Sequence, residues 1–213
     1  MESVQARFRE ALLAMDYVTS AALFAQAEQR EGGAAQVAEA LLLPVLEGLG
    51  EEWEKGLLSL AQIYVAGRIC DDLTQSLGAS PELTADAPVA MANLLDHHAL
   101  GKRIVLAHLR VGGIAVRDYG SGITPEEVVD RAERDHIRVL LLSTLMLASA
   151  LEVGRVKRLC QDRHLALAVV AGGAPFRLDP GLGRAVGADA VGYAASDALA
   201  HVRHFLGERR DGV

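Results

Sequence analysis

The residues of this chain with the clearest chemical potential are Asp96, His98 and Gly101, in the pattern D-x-H-x-x-G. A neutral imidazole is a good metal ligand, and its second ring nitrogen needs a partner that fixes its tautomer and orientation. A carboxylate two residues earlier is able to accept that hydrogen bond. A plainer alternative stays open, in which Asp96 is an ordinary helix N-cap and His98 a solvent-exposed residue.

The pattern lies between a strand and a helix. The apolar run over 89–95 predicts a strand, and the apolar spacing after Gly101 predicts a short helix. Ligands of open α/β sheets bind at the carboxyl ends of the strands. We therefore expect this turn at the ligand-binding edge of a sheet.

Two further groups of small residues follow predicted strands. Ser143, Leu145 and Ser149 come at or after the third strand, and Gly172 and Gly173 follow the fourth. Hydroxyl groups there are able to bond a ligand, and paired glycines let a bulky group approach the backbone. The alternatives are a strand end and a helix cap for the serines, and a tight turn for the glycines. In a sheet of order 2-1-3-4-5 all three groups face one crevice.

The elements that must position these residues divide the chain into two parts. Residues 1–78 have apolar residues at helical spacing and are predicted to be a helical bundle. Residues 79–88, rich in Pro, Gly and small polar residues, are the predicted linker. Residues 89–213 alternate between strands and helices, which predicts an α/β domain with a doubly wound, five-stranded parallel sheet of the flavodoxin-like, Rossmann type.

Several local signals refine this plan. The apolar spacing continues from Val4 through Val18, and a second helix over 34–54 has a predicted kink at Pro44. Ser59 and Thr124 are the predicted N-terminal caps of later helices. The predicted strands span 89–95, 114–119, 139–142, 165–170 and 188–193.

The bulk composition narrows the classes of function. The net charge is −7 and no basic stripe is evident, which argues against nucleic-acid binding. No apolar run is long enough to span a membrane, and the N-terminus lacks the pattern of a signal peptide. Neither Cys70 nor Cys160 has a C-x-x-C partner, which fits a reducing cytoplasm. The absence of a G-x-G-x-x-G or Walker pattern argues against a nucleotide site.

With D-x-H-x-x-G, then S-x-L at Ser143 to Leu145, then Gly172-Gly173, the chain resembles the cobalamin-binding family. That family includes the cobalamin module of methionine synthase and the small corrinoid proteins of methyltransferase systems. The resemblance covers about residues 89–206. The helical part also fits, because a small bundle covers the upper face of the corrin in these proteins.

The resemblance implies cobalamin as the cofactor, bound base-off and His-on. The cofactor's own benzimidazole leaves the cobalt, and its tail descends into the sheet. His98 would be the lower axial ligand and the metal-binding residue, Asp96 would bond His98, and Ser149 would extend that relay.

The same resemblance implies how the tail is held. Gly101 would let the tail pass, and Ser143 and Leu145 would contact the buried benzimidazole. Gly172 and Gly173 would line its other side. Two positions depart from the family pattern: Leu95 stands where many members have Gly, and Leu147 where many have a hydroxyl residue.

The helical part contributes two candidates for the upper face of the corrin, Trp53 and Tyr64. Trp53 is either a lid over the cobalt or a core residue of the bundle. Light-sensing and regulatory cobalamin proteins carry a similar Trp with a Glu-His pair ten residues later. Ile63-Tyr64 replaces that pair here. The other histidines are expected to be solvated: His97, His108, His136, His164, His201 and His204.

The preferred function implied by the resemblance is that of a methyl carrier in the cytoplasm. Cob(I)alamin would take a methyl group from a donor on one protein, and methylcobalamin would deliver it to an acceptor on another. The chain supplies no catalytic residue of its own and depends on separate methyltransferases and a reductive activator. The alternatives are a light or redox sensor and a cobalamin storage or delivery protein. The oligomeric state is open.

Overall fold

The computed structural model of the chain describes residues 3–31, 37–76, 87–97 and 99–207. Two compact units are formed, by Met1–Glu82 with Arg103–Ile114, and by Leu83–Lys102 with Ala115–Val213. Most of the predicted linker, 79–88, lies outside the described residues, so the predicted domain boundaries stay a prediction.

The first unit is helical. Its elements are α1 (Val4–Leu13), α2 (Tyr17–Glu31), a π-helical turn (Ala38–Leu42), α3 (Leu43–Glu54), α4 (Leu60–Ser76) and most of α5 (Leu100–Val111). The predicted capping box begins α4. The Ser59 N–H donates to Gln62 Oε1 at 2.9 Å, and the Gln62 N–H donates to Ser59 Oγ at 3.3 Å.

The predicted continuity of the first helix through Val18 is wrong. Helix α1 ends at Leu13, and Met15 adopts the left-handed backbone with φ +58°. The Asp16 carboxylate then accepts from the N–H of Thr19 at 3.0 Å and starts α2. An aspartate side chain competes with the helical backbone for its hydrogen bonds, so it favours a cap over a helix interior. Val18 is accordingly 77% exposed.

Pro44, the predicted site of a kink, lies in the first turn of α3, directly after the π-helical turn. The first turn tolerates proline, because its backbone N–H groups have no partner within the helix.

The second unit contains a five-stranded parallel sheet with the order β2-β1-β3-β4-β5. Its strands are β1 (Val89–Leu94), β2 (Val116–Ile123), β3 (Val139–Ser143), β4 (Ala168–Gly172) and β5 (Ala190–Gly192). This confirms the predicted architecture and strand order. Strand β1 is buried along its whole length, as a central strand with covered faces must be.

Helices connect the strands and cover the sheet. After α5 they are α6 (Pro125–Arg134), α7 (Leu147–Leu151), α8 (Val153–Asp162), α9 (Ala174–Leu178), α10 (Leu182–Ala185) and α11 (Ala195–Leu206). The predicted cap of α6 is present, since Thr124 Oγ1 accepts from the Glu127 N–H at 3.2 Å and the Thr124 N–H donates to Glu127 Oε2 at 3.1 Å.

Strands β2 and β4 extend further towards their carboxyl ends than predicted, and β3 extends by one residue, Ser143. Strand β2 continues to Ile123 through Gly120 and Gly122, whose positive φ values go with register shifts against β1. Strand β4 begins at Ala168 rather than 165, because the turn after α8 occupies the residues before it, and it ends at Gly172. Glycine and turn residues obscure the strand pattern at both places.

Candidate functional site

The predicted site residues after β1, β3 and β4 meet at one edge of the sheet. Asn93 pairs in register with Ser143, Ser143 pairs with Gly172, and Gly172 pairs with Gly192. Parallel strands end at the same edge, so the segments that follow them are neighbours although they lie far apart in sequence. The segments that follow these strands therefore lie at one edge of the sheet, as the strand order predicted.

Asp96 is buried at this edge and bridges two strand ends. Its Oδ2 accepts from the N–H of Leu145 at 2.9 Å, and its Oδ1 accepts from Asn93 Nδ2 at 3.4 Å. Hydrogen bonds to an ionised carboxylate are stronger than those between neutral groups. The carboxylate is thus fixed between the end of β1 and the segment after β3.

His98 lies outside the described residues, and its predicted role stays a prediction. The backbone that leads to it is fixed against β2. The Leu95 N–H donates to Ile123 O at 3.0 Å, and the Gly122 N–H donates to Asp96 O at 2.8 Å. The described residues that come directly before position 98 therefore have defined hydrogen bonds to β2.

Leu95 and Gly122, next to the backbone hydrogen bonds between β1 and β2, both have positive φ angles. Leu95 has φ +57°, the left-handed conformation that glycine adopts at lower cost than leucine. Its backbone gives a physical reason why a glycine suits this position. Gly122 has φ +75°, and a Cβ atom there would overlap the ring of His97. The close approach of that imidazole therefore requires a glycine in β2.

The predicted glycines differ in what surrounds them. A Cβ atom at Gly173, where φ is +122°, would overlap the carbonyl of Thr144, and one at Gly172 would lie 3.0 Å from Gly192 O. Close backbone approach within the sheet edge thus explains both residues. A Cβ atom at Gly101 would meet no atom within 4 Å. The packing of the described chain gives no reason for a glycine at that position.

The segment after β3 presents both small and apolar side chains. Ser143 is half-buried, and Ser149 is buried within α7. Leu145, Met146 and Leu147 are 44%, 54% and 58% exposed. Leu95 and Tyr193, after β1 and β5, are exposed as well. An accumulation of exposed apolar side chains at one edge is typical of a ligand or partner site.

Comparison with known families decides the class of ligand. A B12 binding domain family matches residues 89–203, and a second B12 binding domain family matches residues 4–76. The chain belongs to the B12-binding family. Its cofactor is cobalamin, as the sequence motifs predicted.

Individual relatives of this B12-binding chain span nearly its whole length. It is 21% identical over 213 residues to trimethylamine corrinoid protein 1 of Methanosarcina mazei, covering 96% of this chain and 98% of that protein. A solved cobalamin-binding protein from Desulfitobacterium hafniense shares the fold with a TM-score of 0.76 at 19% identity, covering 96% and 99% of the two chains. One chain of the solved methanol:cobalamin methyltransferase complex of Methanosarcina barkeri matches with a TM-score of 0.62 at 18% identity, covering 97% of this chain and 80% of that chain.

The described carboxyl edge fits a large cofactor that carries a tail. The open space at Gly101 leaves room for a group that passes close to the backbone. The exposed apolar residues after β3 offer contacts to an aromatic group. Among the described residues no group of three or more His, Cys, Asp or Glu is arranged to hold a metal ion. The predicted metal ligand, His98, is not among the described residues.

Three features of this edge escaped the sequence analysis. Asn93 and Thr144 are buried polar residues beside the site, and Lys102 is buried in the first turn of α5. Asn93 gave a signal, since a polar residue in an otherwise apolar strand needs a hydrogen-bonding partner. Lys102 gave none, because a lysine next to the start of a helix normally faces solvent.

The expectation for the histidines was wrong in part. His108 is buried in α5, and His201 is half-buried, with Nε2 3.1 Å from the carbonyl of Val191. Each lies on a helix whose apolar face is covered. Helical periodicity alone did not show whether these two histidines belong to the apolar or the polar face.

Trp53 and Tyr64 lie in the helical unit, and both are half-buried. The Tyr64 hydroxyl accepts from Arg103 Nη1 at 3.4 Å. Ile63 is buried in the core of that unit. The predicted contact of Trp53 and Tyr64 with the corrin stays a prediction. Among the described residues no helix has both the length and the apolar character needed to cross a membrane.

Proposed function

We propose that this chain is the corrinoid methyl-carrier subunit of a methyltransferase system, with cobalamin bound base-off and His98 as the lower axial ligand. The observation that carries the proposal is the buried carboxylate of Asp96, two residues before His98 and fixed by the N–H of Leu145. A ligating histidine needs such a partner behind it.

Asp96 is of the right chemical type for this task. An ionised carboxylate is able to accept from several donors at once, and that of Asp96 accepts from the N–H of Leu145 and from the side chain of Asn93. Accepting a further bond from the His98 imidazole would fix its tautomer and raise its basicity towards a metal. Buried Ser149 is the proposed next member of this relay.

Bound cobalamin supplies a cobalt ion that takes up and releases a methyl group. The protein orients the cofactor and keeps water from it. Ser143 and Leu145 are the proposed contacts of the benzimidazole, beside the glycines that end β4. Gly101 is proposed to leave a passage for the tail.

The proposed partners are separate methyltransferase proteins and a reductive activator. Support comes from the trimethylamine corrinoid proteins, which match over most of this chain, and from the solved methanol:cobalamin methyltransferase complex. We infer that this chain likewise passes its cofactor between a methyl donor site and a methyl acceptor site on other proteins.

The axial ligand is tested by electron paramagnetic resonance of the protein loaded with cob(II)alamin. We expect nitrogen splitting of the cobalt signal that changes from triplet to doublet when histidine is labelled with nitrogen-15. His98→Ala should keep the fold by circular dichroism and lose this label-dependent splitting. His97→Ala is the matched control and should keep it. Splitting that ignores the label, or survives in His98→Ala, contradicts the ligand assignment.

The carrier role has its own test. The loaded protein should be reduced to the Co(I) state, methylated by a methyl donor and returned to Co(I) by an acceptor thiol, followed by its visible spectrum. A preference for adenosylcobalamin together with a change of oligomeric state on illumination would instead indicate a sensor and overturn the carrier role.

A further inference from the structure

Lys102 is a buried lysine with an ion pair that the proposed cofactor chemistry does not use. Its side chain is 4% exposed, and its Nζ donates to Asp118 Oδ1 at 2.5 Å and to Gly120 O at 2.9 Å. Removing an ammonium group from water is unfavourable unless its donors are satisfied. This arrangement therefore holds Lys102 in one place, in the first turn of α5.

Asp118, the partner of Lys102, also binds the backbone of Gly120. Its Oδ1 accepts from the Gly120 N–H at 2.8 Å, while Lys102 holds the Gly120 carbonyl. Both backbone polar groups of this glycine, which has φ +90°, are thus fixed by one ion pair. The ion pair thus contacts β2 at Gly120, where the register of β2 against β1 shifts.

The carboxyl half of β2 is also hydrogen-bonded to the residues that come directly after β1. Gly122, two residues after Gly120, donates its N–H to Asp96 O, and Ile123 O accepts from the Leu95 N–H. Residues 96–102 are therefore attached to one short stretch of β2 at both ends, by Gly122 at the start and by Lys102 at the finish. Position 98 lies between the two attachments.

We propose that Lys102 is a positioning residue for the axial histidine, acting through its ion pair with Asp118 on the segment that connects β1 to α5. The inference rests on the proposed role of His98. A segment attached at both ends loses less conformational entropy when one of its side chains binds a metal, so ligation is favoured. Lys102 itself touches neither the cofactor nor a reacting group in this proposal.

The experiment compares three variants of the full chain. Lys102→Met removes the charge but keeps an unbranched side chain of similar length. Asp118→Asn removes the charge of an exposed partner and so presents a smaller risk to folding. Lys157→Met is the matched control, because Lys157 also pairs with an aspartate in this unit, at 2.6 Å to Asp189 Oδ2, but before β5 at the opposite edge of the sheet.

The first readout needs no cofactor. Amide hydrogen exchange by NMR should show the N–H groups of Leu95 and Gly122 exchanging about tenfold faster or more in Lys102→Met and Asp118→Asn, because their hydrogen bonds open more often. Lys157→Met should leave both rates unchanged. If Lys102→Met does not fold, Asp118→Asn carries the test.

The second readout is the histidine-nitrogen splitting in the cob(II)alamin spectrum. We expect a reduced histidine-bound fraction in Lys102→Met and Asp118→Asn, and the wild-type fraction in Lys157→Met. Unchanged exchange rates together with an unchanged histidine-bound fraction would overturn the positioning role. A wild-type protein without histidine splitting would instead refute the proposed ligation, while the exchange rates would still report whether the ion pair stabilises the hydrogen bonds of Leu95 and Gly122.

Discussion

Two glycines of the site illustrate how a single residue type serves different purposes. Gly173 is required by the fold, because its positive φ and the nearby carbonyl of Thr144 exclude a Cβ atom. Gly101 lies in α5 with open space around its Cα. A glycine that the packing of the protein does not demand lowers helix stability relative to alanine. A ligand that approaches the backbone gives a reason for its presence.

Gly101→Ala therefore separates folding from binding. Without cofactor, the variant should be as stable as the wild type or more stable by up to about 1 kcal/mol, because alanine is the better helix former. Its affinity for cobalamin should fall, since the new methyl group occupies the proposed passage of the tail. Thermal unfolding and a spectrophotometric titration measure the two quantities. Unchanged affinity would count against a passage at Gly101.

Gly173→Ala provides the opposite control. Overlap with the Thr144 carbonyl and the strained backbone should destabilise the protein by about 3 kcal/mol or more, with or without cobalamin. Unfolding in urea measures this loss. A variant as stable as the wild type would mean that the segment after β4 shifts at little cost.

At the scale of single elements, helix starts were the features that local sequence predicted best. The capping boxes of α4 and α6 each form from residues three positions apart, so no distant contact is needed to create them. The break between α1 and α2 was missed although its signal is equally local. There the carboxylate of Asp16 accepts hydrogen bonds from the hydroxyl and the N–H of Thr19. The apolar periodicity, which continues across the break, obscured this cap.

The cap of α6 yields a prediction with a pH dependence. Thr124→Ala should lower the free energy of unfolding by about 1 kcal/mol at neutral pH, since an N–H of the first turn loses its acceptor. Hydrogen bonds from the backbone and side chain of Thr124 lower the pKa of Glu127. Ionised Glu127 thus stabilises the fold above its ordinary pKa, and this contribution disappears as the pH falls through its lower pKa in the folded state.

Glu127→Gln tests the sign of this effect. The variant should be less stable than the wild type at neutral pH, and the difference should vanish once the pH is below the pKa of Glu127 in the folded protein. Urea unfolding over a pH series measures both curves. A difference that persists in acid would show that charge is not the cause.

At the scale of the whole molecule, the boundary between the two units falls within α5. The chain enters α5 in the α/β unit, but residues 103–114 belong to the helical unit. There Ala107 approaches Gly67, and Arg110 pairs with the buried Asp71 at 3.4 Å. The helical unit is therefore built from two separate stretches of the sequence.

This arrangement predicts the behaviour of a shortened chain. Residues 83–213 produced alone should expose the apolar face of α5, including Leu106 and Leu109, which are buried in the full chain. We expect a lower unfolding temperature, a broader transition and binding of a hydrophobic dye, compared with the full chain. Equal cooperativity without dye binding would show that α5 needs no contact with the helical unit.

The sequence by itself determined the fold class, the strand order and the identity of the cofactor. Hydrophobic periodicity and helix caps are local, and the crossover rules of parallel sheets then leave few topologies. The motif around Asp96 and Gly101, followed by the small residues after β3 and β4, pointed to the family that residues 89–203 match.

Only the tertiary structure decided which atoms meet. It joined the Asp96 carboxylate to the N–H of Leu145, set Gly173 against the carbonyl of Thr144, and buried Lys102 beside Asp118. Each of these contacts joins residues that are 16 to 49 positions apart in the sequence. Such contacts depend on how strands and helices pack in space, and spacing along a single chain does not encode that packing directly.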